Sequence, residues 1–402
     1  MAVTLPSRSV GGHNGFKVKP DDFLEIDRLL SDEDRLIKET VARYVNEKYL
    51  PGVNEHFEQG TFDTSVPKAL GDLNVLGMHL EGYGCAGSSA IAYGIACMEL
   101  DAGDSSLRSF CSVQGSLAMF AIWKWGSEEQ KENWLPDMAA GRKIGCFGLT
   151  EPDSGSDPSS MRTNARRDGD DWILNGAKMW ITSGSISDVA VVWARTDDGV
   201  QGFLVEPGME GFTRPDMHGK LSLRASVTSE LIFDDVSVPD SNRLPGVQSL
   251  RGPLSCLNEA RYGIVWGVVG VARACFEAAL GYSLTREQFG KPIASFQLTQ
   301  AKLADMAAGV NQGYLLALRL GQLKDEGELT TEQISMGKRQ NVRMAREVAS
   351  TARGVLGANG VTLEYPVMRH ANNLESVFTY EGTDEIHTLS VGKALTGISA
   401  FT

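Results

Sequence analysis

The sequence predicts an α+β protein in three parts: an N-terminal helical domain, a central β-barrel or sandwich, and a C-terminal four-helix bundle. Three observations carry this reading. Apolar residues recur at helical spacing across 23–145. Between 146 and 253 they fall into short runs separated by Gly, Asp and Asn, the spacing of strands and turns. From 254 to 402 the helical period returns in long segments joined by short loops, as in an antiparallel bundle. Residues 1–22, rich in Gly, Ser, Lys and Pro, read as a loose arm.

In the first part, Ser31 is placed to cap a helix with Asp34 three residues on, and a helical run follows through Leu36, Val41, Tyr44 and Val45. Residues 98–125 read as further helices and 128–135 as a short one. Strand-like runs in the middle part are 172–174, 189–194, 202–205 and 230–233. The closing helices cover about 259–286, 295–325, 331–356 and 364 onward. Within the last of these, Thr379-Tyr380-Glu381-Gly382-Thr383 sets a lone carboxylate beside a glycine, which makes poor helix interior and good turn. A solvated turn and an acid presented to a bound substrate both fit that pair taken alone.

Composition narrows the class. With 402 residues, 42% of them hydrophobic, the chain has material for two or three cores. A net charge of −13 argues against a surface that tracks nucleic-acid phosphates. The six cysteines are scattered with no C-x-x-C pair, and the histidines do not cluster at ligand spacing. Free thiols in a reducing cytosol and no metal centre are expected. No signal-like run and no membrane-length apolar stretch stands out, so a cytoplasmic protein without membrane insertion is expected.

Four stretches and one residue combine types that hold ligands. Phe147, Leu149, Thr150, Gly155 and Ser156 lie in a run dense in hydroxyls and turn formers, suited to bringing N–H groups to an anion or a polar ring edge. A domain-crossing loop has the same composition. Trp180-Ile181-Thr182 pairs an indole with a hydroxyl, fit for an aromatic ligand's face and edge, or for an ordinary core Trp. Arg286 and Phe289, followed by Gln297, suit a pyrophosphate and a purine, or a basic helix end. Leu254-Ser255-Cys256-Leu257-Asn258-Glu259-Ala260-Arg261 opens a long helix and offers a polar start to a bulky ligand, although capping also explains Asn258 and Glu259. Arg108, next to Ser109 on a small-residue helix, needs a partner if buried: Asp101 at i−7, Asp104 at i−4, or a substrate carboxylate.

Taken in this order, these stretches resemble the acyl-CoA dehydrogenase family from about residue 20 to Thr402, and within it most closely the glutaryl-CoA type. The resemblance rests on Phe147-Gly148-Leu149-Thr150-Glu151-Pro152 with Ser154-Gly155-Ser156-Asp157, on Trp180-Ile181-Thr182, and on Cys256-Leu257-Asn258 with Ala260-Arg261-Tyr262-Gly263-Ile264. Arg286 with Gln288-Phe289-Gly290 and Thr379-Tyr380-Glu381-Gly382-Thr383 extend it. More particular to the glutaryl type are Arg108-Ser109 with Ser112-Val113-Gln114, Ser222-Leu223-Arg224-Ala225-Ser226, and Tyr380 before the acid.

The resemblance implies an acyl-CoA dehydrogenase-like fold with non-covalent FAD between the β domain and the bundle. Phe147, Leu149, Thr150, Gly155, Ser156, Trp180, Ile181 and Thr182 would surround its ring, and Thr383, Asp384 and Glu385 would touch it again. Arg286, Phe289 and Gln297 would hold the pyrophosphate and adenosine end, commonly of a neighbouring subunit's FAD, with Gly357 in a further glycine-rich contact. Ser156, Leu254, Ser255, Cys256, Leu257, Asn258 and Arg261 would face the CoA thioester. Glu381 would be the base, with room made by Gly382; Arg108 and Ser109 would meet a distal carboxylate, and Tyr380 would share the second proton step. The implied reaction is oxidation of glutaryl-CoA and its decarboxylation to crotonyl-CoA, with electrons passed to an electron-transfer flavoprotein from a homotetramer. A short-chain dehydrogenase, an oxidase or a silent acyl-CoA-binding flavoprotein are the other readings. The chain departs from the pattern at Gly357-Ala358-Asn359-Gly360, at Asp101 (an acid one methylene short), and at Ser106-Leu107 before Arg108.

Overall fold

The computed structural model describes residues 10–11 and 17–401, so most of the expected arm at 1–22 lies outside the described residues. Two short strands, β1 (Val10–Gly11) and β2 (Lys17–Val18), pair antiparallel. Beyond them Asp22 is buried and accepts from the N–H groups of Ile26 at 2.6 Å and Asp27 at 3.1 Å, which fixes the entry to the first helices.

The N-terminal part is helical. Ser31 and Asp34 form the expected capping box on α1 (Asp32–Tyr44). A wide turn at Val45–Tyr49 carries α1 into α2 (Leu50–Gln59), followed by α3 (Val66–Asp72). Helix α4 (Ala90–Gly103) begins well before 98, because Ser89 caps it by accepting from Ala92 N–H at 3.0 Å. Its first turns are buried on nearly every side and so carry no amphipathic period in the sequence. Then come α5 (Ser105–Ser112), α6 (Phe120–Trp125), joined to it through a wide-turned stretch at Val113–Met119, and α7 (Glu128–Ala139).

The middle part is one seven-stranded sheet. Its strands are β3 (Gly145–Gly148), β4 (Asn164–Asp168), β5 (Asp171–Thr182), β6 (Val189–Thr196), β7 (Gly199–Val205), β8 (Phe212–Thr213) and β9 (Thr228–Pro239). They run in the order β3-β6-β4-β5-β9-β8, with β7 also on β6. Every strand-like run of the sequence lies in one of these, lengthened by pairing. The β5–β9 ladder slips register between Lys178 and Ile181. That irregularity sets Trp180 at φ 65° and turns its indole outward.

The C-terminal part contains α8 (Arg251–Thr285), a hairpin of β10 (Glu287–Gln288) and β11 (Lys291–Pro292), α9 (Gln297–Asp325), α10 (Thr331–Leu356), α11 (Val367–Thr379) and α12 (Asp384–Thr396). The helix expected from 364 onward is thus two helices, broken at Glu381-Gly382. Helix α8, at 35 residues with a window of mean hydropathy 1.5, is long and apolar enough to cross a membrane, contrary to the sequence expectation. Yet 72% of that window is buried, against α4 and α10. Small residues set the α4–α8 approach: a Cβ on Gly270 would lie 1.9 Å from the Met98 carbonyl oxygen, and one on Gly267 2.3 Å from Asp101 Oδ2.

Candidate active site

The break between α11 and α12 is held from three helices. Arg261 on α8 donates its Nε to the Glu381 carbonyl at 2.7 Å, and Lys338 on α10 donates to the carbonyls of Tyr380 and, at 2.6 Å, Gly382. Arg108 on α5 donates Nη2 to the Tyr380 hydroxyl. Thr383 ends the turn by capping α12, accepting from Ile386 N–H at 3.3 Å. Glu381 has φ 54° and Gly382 φ 98°. A Cβ on Gly382 would stand 2.8 Å from Nε2 of the buried His387, so the turn demands glycine for both backbone and space.

Glu381 Oε2 is buried with no hydrogen-bond partner. Burial raises its carboxyl pKa above the ordinary value, while the positive charges of Arg108, Lys338 and Arg261 pull it back. Across from it Arg108 is fully buried. Of the two partners the sequence offered, Asp101 is the one used, with Arg108 Nε donating to Oδ2 at 3.1 Å. Asp104 instead binds Arg369 and Asn373. One edge of the fork remains open, since Arg108 Nη1 and Asp101 Oδ1 have no partner. Burial opposes the guanidinium charge, but Tyr380, Asp101 and Glu381 overcome it and hold Arg108 cationic. Burial likewise raises Tyr380 above the usual phenol value, which keeps its hydroxyl neutral.

On the sheet, the run after β3 is bound to β5. Lys178, buried, reaches Glu151 at 2.7 Å and the Leu149 carbonyl at 3.1 Å, and Met179 N–H donates to the Thr150 carbonyl at 2.9 Å. Glu151 also accepts from the N–H groups of Arg162 and Thr163. Burial pushes the Lys178 ammonium down to about 8, partly offset by Glu151. Trp180, next to Met179 in β5, is 58% exposed, with Thr150 and Thr182 half-buried and Gly155 and Ser156 open. A Cβ on Gly155 would meet nothing within 4 Å. An exposed flat indole beside a rim of hydroxyls and a bare backbone is the donor set that a polar, planar ring requires.

Several sequence-predicted positions point elsewhere. The side chains of Phe147, Leu149, Ile181 and Cys256 fill apolar cores, and the Cys256 thiol contacts the Gly252 carbonyl at 3.4 Å, so these four residues would meet a ligand through their backbone. Ser255 is engaged with Trp125 and the Gly252 carbonyl, and Asn258 bridges Thr331 and Arg261. Leu254 is exposed, Leu257 half-buried, and Ser109 buried beside Arg108. Both carboxylate oxygens of Asp384 are taken by Arg343, and Glu385 is exposed. Gly357 ends α10 with φ 59°. Arg286, Phe289 (93% exposed) and Gln297 sit at the far end of α8 from Arg261, roughly 35 Å away by helical rise. They do not join the Glu381 cluster of this chain.

Lys338 and His387 were not singled out from the sequence. A readable signal exists for Lys338: it falls on the apolar face of α10 in register with Ile334, Asn341 and Ala345, where a lysine is out of place.

A carboxylate with one oxygen buried and unpartnered, in the field of a buried guanidinium, is suited to taking a proton, and the exposed indole on the sheet is suited to a planar cofactor. Models of the acyl-CoA dehydrogenase N-terminal, middle and C-terminal domains match residues 31–142, 146–236 and 251–396. The chain belongs to the acyl-CoA dehydrogenase family, a family of FAD-dependent enzymes. A glutaryl-CoA dehydrogenase crystal structure from Mycobacterium smegmatis is 61% identical with a TM-score of 0.95, covering 96% of this chain and all of that one. A second, from the same organism in complex with FADH2, is 57% identical at TM-score 0.95, again over 96% of this chain and all of the other. The short-chain specific acyl-CoA dehydrogenase of Rattus norvegicus mitochondria is 34% identical over 97% of this chain and 98% of its own.

Proposed function

We propose that the protein oxidises glutaryl-CoA and decarboxylates it to crotonyl-CoA. The observation that carries this is Arg108: a fully buried guanidinium, oriented by Asp101 and Tyr380, with Nη1 unpartnered and its charge acting on Glu381. An enzyme of unsubstituted acyl chains has no use for a cation there, and burying one is costly.

FAD, when bound, accepts the β-hydride. Trp180, Thr182, Thr150, Gly155 and Ser156 would hold its ring; Arg286, Phe289 and Gln297 would serve the nucleotide end of a neighbouring subunit's FAD in a homotetramer. Glu381 removes the α-proton, its basicity raised by burial. Arg108 holds the distal carboxylate and so fixes which carbon faces Glu381. After oxidation that carboxylate lies on the carbon next to the new double bond. Loss of carbon dioxide leaves its electron pair delocalised into the thioester. Glu381, now protonated, returns the proton under the hydrogen bond of neutral Tyr380, giving crotonyl-CoA. Electrons then leave to an electron-transfer flavoprotein, and a cytoplasmic setting accompanies this reading.

The 34% identity to a short-chain specific relative supports a second reading, in which Arg108 is only a salt-bridge partner of Asp101 and a butyryl-type chain is oxidised without decarboxylation. Turnover against a panel of acyl-CoAs with carbon dioxide counted separates them. Glutaryl-CoA should be preferred and release one carbon dioxide per flavin reduced; turnover of butyryl-CoA alone would overturn the first reading.

A further inference from the structure

Lys338 is a buried cation that the reaction as described leaves without a task. It is 1% exposed, and no carboxylate lies within ion-pair distance of it among the described residues. A buried ammonium is ordinarily paired with an acid, because its desolvation is otherwise uncompensated. Lys338 instead donates to the carbonyls of Tyr380 and Gly382, one on each side of Glu381. Between them Glu381 takes a left-handed backbone conformation that glutamate disfavours, so something must impose it.

We infer that Lys338 is a positioning residue for the base: by gripping both carbonyls that bracket Glu381 it imposes that residue's backbone conformation and keeps a positive charge beside its carboxylate. The inference rests on Glu381 being the base. The charged groups facing Glu381 are Arg108 from α5, Arg261 from α8 and Lys338 from α10, with Tyr380 in the turn itself. Lys338 in turn faces Arg261, Arg108 and Asp384, and His387 from α12, whose imidazole burial holds neutral with a pKa of about 3. Arg261 grips the Glu381 carbonyl itself, so the two cations fix three successive carbonyls. Burial lowers the Lys338 ammonium to about 7, with the Glu381 carboxylate acting to restore it. Removing this cation therefore raises the proton affinity of Glu381 further.

The test uses FAD-loaded protein carrying Lys338→Met, which removes charge and donors, Lys338→Gln, which removes charge and keeps a donor, or Lys338→Arg, which keeps charge. Amide hydrogen exchange across 379–383, measured without substrate, should quicken on the order of 10-fold in Lys338→Met. The acid limb of the pH profile for flavin reduction should move to higher pH in the Met and Gln variants and stay in place in Lys338→Arg. Lys338→Met should lose on the order of 10-fold in kcat at neutral pH with little change in KM. Unchanged exchange in Lys338→Met together with an unmoved acid limb in Lys338→Gln overturns the inference; if Lys338→Met does not fold, an acid limb that stays in place in Lys338→Gln as it does in Lys338→Arg overturns it. Glu381→Gln is run in parallel. Flavin reduction surviving in that variant defeats the base assignment itself, whereas the exchange measurement still judges the grip.

Discussion

A carboxylate with one oxygen buried and unpartnered, as Glu381 has, holds its proton more tightly than an exposed glutamate because water no longer stabilises its charge. Its folded pKa lies above its unfolded value. The stability it contributes is therefore fully present below the ordinary carboxylate range and lost as pH rises through the folded value. Glu381→Gln, which mimics the protonated acid, should gain in Tm over the parent between acid and neutral pH, and scanning calorimetry showing a pH-independent difference would contradict this. The same variant should bind acyl-CoA and lose on the order of 10²–10⁴-fold in flavin reduction. At Arg108 the expected loss is selective: Arg108→Ala should lower kcat/KM for glutaryl-CoA on the order of 10²-fold, in line with removing a buried charge pair, while butyryl-CoA turnover falls far less. It should also destabilise the fold by about 3–5 kcal/mol by leaving Asp101 unpaired, and adding Asp101→Asn should recover part of that in denaturant titration. Glu381, Tyr380 and Arg108 are legible in the sequence because each sits in a local pattern. Lys338 shows in the sequence only as a lysine out of place on the apolar face of α10; its role does not show, because that role is contact with a turn 42 and 44 residues away.

Among elements, the α4–α8 crossing does for the substrate fork what the turn does for the base. Gly267 lets α8 lie against α4 with Asp101 between them, so Gly267→Ala would press a methyl group onto the carboxylate that orients Arg108. Overpacking there should cost about 1–3 kcal/mol in stability. It should also erode the preference for glutaryl-CoA over butyryl-CoA, measured as a ratio of kcat/KM; lost stability with an unchanged ratio would detach Asp101 from selectivity. The helix α10 and the alternation from helix to strand to helix are readable from periodicity, since each has a polar face. The first turns of α4 are not, being buried nearly all round, and the split of the last helix is visible only through Glu381-Gly382. The register slip that exposes Trp180 has no sequence signature, because it arises from pairing between β5 and the distant β9.

For the molecule as a whole, two surfaces have to meet: the face of the sheet that presents Trp180 and the bundle that presents Glu381. Trp180→Ala should weaken FAD retention roughly 2–10-fold, the contribution of one aromatic contact, in a fluorescence titration of cofactor-free protein. An unchanged affinity would remove the indole from the cofactor seat. The three grips on the turn also differ in how far apart along the chain their partners lie: 44 residues for Lys338 with Gly382, 120 for Arg261 with Glu381, and 272 for Arg108 with Tyr380. Contacts closing longer loops form later in folding, as chain entropy opposes them until the intervening structure exists. A refolding chain would then assemble its bundle first and join the fork to the base last. In a refolding time course, native helicity should return before turnover of glutaryl-CoA does.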